Sequence, residues 1–268
     1  MDNSWGKDGV RVSKIIRGEP NDEFFEATAH ITLKGDVEAA YQDGDNSNVV
    51  PTDTMKNTVY AMAQDHLTAD LESFARSLVE HFLAKSGVDE VSVELASTRW
   101  DRVGDQGFTG GHGERRTTRV ASDGNSVRVE GGISGLVVLK TGASSFSGFP
   151  KDEYTTLPET DDRILATSVE ATWIYDPTPS DTTATWSLVR TSLIDGFFDE
   201  SSASIQHQGW QMATKVLEAV PEITEISFKL PNEHHLPFDL TPLGLEDKKI
   251  VFQPVNEPFG DIRFTVTR

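Results

Sequence analysis

Residues 230–240 read LPNEHHLPFDL, where Asn232, Glu233, His234 and His235 interrupt an otherwise apolar, strand-like run. Three readings suit these side chains. A metal site needs three or four donors at fixed geometry. Adjacent histidines on an extended backbone point to opposite faces, so His234 and His235 do not easily share one ion. No HExxH string, cysteine pair or Asp-rich loop supplies the missing ligands. Proton transfer asks for a single imidazole, whose ordinary pKa lies near neutrality. A polar strand end with one packed and one exposed histidine asks for no chemistry at all.

Four other fragments are dense in polar side chains. GKDGVRV places Lys7 just before a strand, and PTDTMKNTVY gathers Thr52, Asp53, Lys56, Asn57 and Thr58 ahead of an apolar segment. SSFSGFPKDEYTTLPETDDRIL carries Phe146, Phe149 and Arg163, and SSASIQHQGW carries Ile205 and Gln206. Each alone has a structural explanation. Thr52 or Asp53 caps a helix, Phe146 is a core aromatic, Arg163 lies on the surface, and Ser202 or Ser204 caps a second helix.

The elements that must position these residues follow from periodicity. Residues 9–17 and 25–34 alternate apolar and polar, which predicts two strands of a hairpin, and the acidic stretch 38–48 predicts a loop. From His66, HLTADLESFARSLVEHFLAKSG repeats apolar residues at helical spacing, with Thr68 as the expected N-cap and Gly87 as the expected stop. Residues 88–95, 115–120 and 126–133 read as further strands, and residues 210–220 as a helix. VDEVSVEL at 88–95 resembles ITEISFKL at 223–230 at an offset of 135 residues, and the preceding helices are expected to keep that register, pairing Phe82 with Leu217. An internal duplication is the better explanation. The expectation is an α+β fold of two similar units, residues 1–134 and 135–268, each an antiparallel sheet with helices on one face. The boundary is placed at residues 135–147, where the chain turns rich in Gly and Ser. The exposed sheet edges call for pairing or closure into a barrel.

Composition sets outer limits. The net charge of −19 argues against coating nucleic acid, which requires a basic surface. The absence of cysteine excludes disulfides, thiolate metal sites and a cysteine nucleophile. No run reaches the length of a membrane-spanning helix. The polar N-terminus and the C-terminal FTVTR show no secretory or peroxisomal address, so the expected location is cytoplasmic.

GKDGVRV, TDTMKNTVYA, FSGFPKDEYTTLPETDDRIL, SASIQ and LPNEHHLPFDL, in this order, resemble the urate oxidase (uricase) family from about residue 6 to the end of the chain. The resemblance implies tandem T-fold units and subunits joined into a tunnel-like barrel. The expected assembly is a homotetramer with active sites between subunits. The activity it implies oxidises urate with O2 and water to 5-hydroxyisourate and H2O2, with no metal and no organic cofactor. It also implies roles. Arg163 binds one purine edge, Gln206 reads another, Ile205 presents its backbone and Phe146 stacks on the ring. Thr52 and Asp53 come from a neighbouring subunit. Lys7, Thr52 and His234 form a proton relay, and Asn232 holds O2 or water with Thr52. The family's usual Trp after the stacking Phe is here Ser147, and its usual aromatic after the relay histidine is here His235. The rival reading is a T-fold purine- or pterin-binding protein with a different activity or none. The metal-dependent form of it is disfavoured by a chain without cysteine and with 7 scattered histidines.

Overall fold

The computed structural model describes residues 1–268, with every side chain except that of Asn256. The chain forms two compact units, one of residues 1–134 and 172–186, the other of residues 135–171 and 187–268.

In the first unit, β1 (Trp5–Ile16) and β2 (Glu23–Lys34) pair antiparallel as the expected hairpin. The register breaks between Lys7 and Val10, where Gly9 at φ +68° supplies a left-handed residue that most side chains disfavour. The acidic stretch expected to be a loop contains a short helix, α1 (Glu38–Gln42), and α2 (Thr52–His66) follows it. Next comes α3 (Leu71–Leu83), which starts later than Thr68 would have it. Asp70 is the N-cap, its carboxylate accepting the Ser73 N–H at 3.0 Å, while Thr68 accepts the Asp70 N–H at 3.2 Å. The helix ends at Ala84, short of Gly87. The remaining elements are β3 (Glu90–Ser97), the small hairpin of β4 (Asp101–Val103) and β5 (Gly107–Thr109), then β6 (Arg115–Ser122) and β7 (Val127–Lys140). The main sheet of this unit runs β1-β2-β3-β6-β7, with antiparallel ladders from β1 through β7.

Strand alternation explains why helices cover only one face. Val91, Val93 and Leu95 of β3 are buried together with Leu71, Phe74, Leu78 and Phe82 of α3. The opposite face carries a row of charge in cross-strand register: His30 faces Glu94, Glu94 faces Arg119, and Arg119 faces Glu130.

The second unit repeats the plan. The Gly/Ser-containing stretch after Gly135 does not break at once into a loop, because β7 continues to Lys140. Beyond it come β8 (Leu165–Tyr175), α4 (Thr182–Phe198), α5 (Ile205–Ala219), β9 (Ile223–Pro237) and β10 (Phe252–Thr267). The sheet order is β7-β8-β9-β10, and β9 pairs antiparallel with β10. Gly209 lets α5 press onto this sheet, since a Cβ there would lie 2.5 Å from the Phe264 ring.

The two copies match in burial, with one adjustment. Val88, Val91, Val93 and Leu95 correspond to buried Ile223, Ile226, Phe228 and Leu230, at the offset of 135 residues. The helices do not keep that offset. Leu71, Phe74, Ala75, Leu78, Val79 and Phe82 correspond to Ile205, Gln208, Gly209, Met212, Ala213 and Val216. Phe82 therefore matches Val216 rather than Leu217. The second copy carries one extra residue between helix and strand. Among the described residues no helix is long and apolar enough to cross a membrane.

Candidate functional site

In the first unit, Lys7 lies on β1 at the edge of the bulge and is half-buried. Thr52 opens α2, exposed, with Pro51 at the N-cap in extended conformation and no side-chain cap, so neither Thr52 nor Asp53 is the expected N-cap. The Trp5 indole N–H donates to the Val50 carbonyl at 3.0 Å, which ties the start of β1 to the segment leading into Thr52. Asp53 is held by Lys56 and by the Asn57 amide at 2.9 Å. Its carboxyl is drawn below the usual range by the hydrogen bond and charge of Lys56, with Lys7 adding to the pull. Among the described residues no hydrogen bond joins Lys7 to Thr52.

In the second unit three loop segments converge. Phe146 and Thr160 form an antiparallel bridge, each N–H donating to the other's carbonyl at 2.8 and 3.0 Å. Ser144 and Ser202 form a parallel bridge. The Ser145 N–H donates to the Ser202 carbonyl at 2.8 Å, and the Ser202 N–H to the Ala143 carbonyl at 3.0 Å. Ser204 then caps α5, accepting the His207 N–H at 3.0 Å. This leaves Ile205 buried and Gln206 exposed on the first turn.

Arg163 stands just before β8, its guanidinium 5.2 Å from the centroid of the Phe146 ring. Phe149 stacks on that ring at 4.9 Å with an interplanar angle of 15°. Among the described residues no carboxylate pairs with Arg163, its buried Nε has no partner, and burial pushes its pKa below the ordinary value. An unpaired cation beside an aromatic face, in a chain of net charge −19, suits a planar anion.

Asn232 and His234 lie on β9 opposite Gly260 and Val255 of β10, on either side of a register break. Strand alternation puts them on one face and Glu233 and His235 on the other. All four are half-buried, and the side chains of Asn232 and His234 make no hydrogen bond among the described residues. His235 Nδ1 is buried without a partner. The second unit thus brings Phe146 and Arg163 into contact and ties the Phe146 segment to the helix start bearing Ile205 and Gln206. Among the described residues no hydrogen bond, ion pair or ring contact joins Asn232 or His234 to that cluster. No group of three or more His, Asp or Glu among the described residues is arranged to hold a metal.

The sequence reading missed Lys140 and Gln208, both buried behind these loops. A lysine closing the apolar run LVVLK looks like a surface residue, and nothing in its spacing marks it otherwise.

The family model described as Uricase matches the chain twice, at residues 3–130 and 129–263. A uricase from Arthrobacter globiformis is 40% identical, over 99% of this chain and 89% of that relative. A uricase from Dictyostelium discoideum is 37% identical, over 100% of this chain and 97% of the relative. The crystal structure of the Arthrobacter globiformis uricase superposes with a TM-score of 0.96 at 39% identity, covering 100% of this chain and 94% of that one.

Proposed function

The chain belongs to the uricase family, and from that membership we propose how its residues divide the oxidation of urate. It is a urate oxidase, an oxidoreductase whose substrates are urate and O2. We read the full reaction as urate, O2 and water giving 5-hydroxyisourate and H2O2, without a metal or an organic cofactor. Two electrons pass from the purine to O2, and water provides the new hydroxyl at C5. The repeats are read as residues 1–134 and 135–268.

Urate binds as an anion at Arg163, whose planar guanidinium offers two parallel donors to one purine edge. The Gln206 amide, donor and acceptor at once, reads another edge, and the Ile205 backbone adds a polar contact. The Phe146 ring stacks on the purine. Thr52 and Asp53 reach the ring from a neighbouring copy in a homotetramer whose sheets close into a tunnel-like barrel. In support, the single chain leaves Thr52 exposed and unbonded to Lys7.

The anion must lose another proton before it gives electrons to O2. Lys7 accepts that proton through the Thr52 hydroxyl, and His234 moves protons through water. Asn232, with Thr52, holds O2 or water over the ring.

The observation that carries this reading is the unpaired Arg163 guanidinium against Phe146. Dialysed, chelator-treated protein mixed with urate in air tests the chemistry. Loss of urate absorbance with peroxide in equal amount, undiminished by chelator, is expected. Abolition by the chelator, or urate loss without peroxide, would overturn it.

A further inference from the structure

Lys140 ends β7 with 8% of its surface exposed, yet its ammonium has no carboxylate partner among the described residues. It donates instead to the Glu200 carbonyl at 3.1 Å and to Gln208 Oε1, and lies 5.5 Å from the centroid of the Phe197 ring. Burial lowers its pKa. Gln208 is fully buried, and its amide donates to the Gly196 carbonyl at 2.8 Å. The pair therefore satisfies carbonyls at and just beyond the end of α4, groups a helix terminus otherwise leaves unbonded.

The position of this pair matters more than its energy. The chain runs from Lys140 into Ala143, Ser144 and Ser145, which bond Ser202, and then to Phe146. It runs from Glu200 through Ser202 and the Ser204 cap to Ile205 and Gln206. Lys140 thus holds both segments at their common root. Asp162, next to Arg163, approaches the same turn, its carboxylate 3.1 Å from where a Cβ on Gly142 would stand.

We infer that Lys140 and Gln208 form a positioning clamp that fixes the distance between the Phe146 and Gln206 segments, and so the width of the purine site. The inference rests on the reading of Phe146 and Gln206 as purine ligands. A lysine suits this task because its ammonium has three donors and is held by neutral acceptors alone, so a carbonyl and an amide share one buried charge. An apolar side chain of similar length would leave the Glu200 carbonyl and the Gln208 oxygen unbonded.

The test uses the full-length protein with Lys140→Met, the milder Lys140→Gln, and Phe146→Ala as a reference. Binding of xanthine, a purine lacking the C8 oxygen of urate, is measured by calorimetry, and urate turnover by steady-state kinetics. A displaced ligand contact is expected to raise Kd and KM together by about tenfold in Lys140→Met, and less in Lys140→Gln. A purely structural role would lower apparent kcat as folded protein is lost, at unchanged KM. That pattern would overturn the clamp, as would unchanged Kd in folded Lys140→Met or failure of both lysine variants to fold. If Phe146→Ala also binds xanthine normally, the purine-site reading itself fails. If only the lysine variants bind normally, the clamp alone fails.

Discussion

Counted from each N-cap, Glu72 of α3 and Gln206 of α5 hold the same place, the second residue of the helix. The strands beneath match as well. Leu95 faces Thr118 as Leu230 faces Ile262, which sets Arg116 level with Gly260. In the first unit, Arg116 and Glu72 meet at 2.5 Å, both under a tenth exposed. Arg116 also donates to the Ala69 carbonyl, Thr182 and Thr183. In the second unit there is no arginine at that level, only Gly260 beside Asn232, and Gln206 is exposed. One copy fills the helix start with a buried ion pair, and the other has a glycine in place of the arginine and leaves its glutamine exposed. The duplicated fold therefore has one slot by construction. The two copies differ there at two positions, Glu72 against Gln206 and Arg116 against Gly260.

The largest effect is expected from emptying the filled slot. Arg116→Met leaves Glu72 buried without its cation and should destabilise the protein by about 3–5 kcal/mol, read from denaturant unfolding at neutral pH. Urate KM should hardly change in the protein that remains folded. Burial already pushes the Glu72 carboxyl above its usual range against the pull of Arg116, so the variant should push it further. A carboxyl raised in the folded state contributes stability below its unfolded pKa and loses it as pH rises through the folded pKa. The deficit of Arg116→Met should thus be smaller near pH 5 than near pH 8. A deficit that grew on acidification would break the account of this slot.

Arg163→Ala tests the neighbourhood of the second unit's slot. A bound anion would lose its cation, and kcat/KM should fall by at least about 100-fold, roughly 3 kcal/mol, with a change in stability far smaller than for Arg116→Met. Lys7→Ala should instead lower kcat more than it weakens xanthine binding, by about 100-fold for a lost proton acceptor. A raised KM with normal kcat would remove Lys7 from the relay.

The sequence made some of this contrast legible and hid the rest for physical reasons. Strand alternation in β3 and β9 exposes the duplication, because each buries one face. The helix register slipped by one residue because α3 and α5 both carry adjacent apolar residues, Phe82–Leu83 and Val216–Leu217, so a shift by one still pairs apolar with apolar. Helix α2 was hard to see because it buries only Met55, Thr58, Val59 and Ala63 and is polar elsewhere. The site residues were legible as strings that resemble a family. The approach of the Phe146 segment to Arg163 and to the start of α5 was not, because it depends on the bridges at Ser144–Ser202 and Phe146–Thr160, which have no periodicity. The burial of Glu72, Arg116 and Lys140 has no local signal in the sequence, because burial of a charge is decided by partners distant in sequence.

The smallest expected effect separates the two helix starts most cleanly. Asp70 and Ser204 perform the same local task, each accepting an N–H three residues on. Replacing either with Ala should cost about 1 kcal/mol of stability, the usual worth of an N-cap. The functional consequences should differ. Asp70 also accepts from Thr182 at 2.8 Å, so Asp70→Ala loosens a packed corner and should leave KM alone. Ser204→Ala loosens the turn that presents Ile205 and Gln206, so it should raise KM by a few-fold at matched loss of stability. Equal KM in the two variants would mean that the second unit's slot does not depend on its cap. Gln206 would then be positioned chiefly by the buried Ile205 and Gln208 on either side of it.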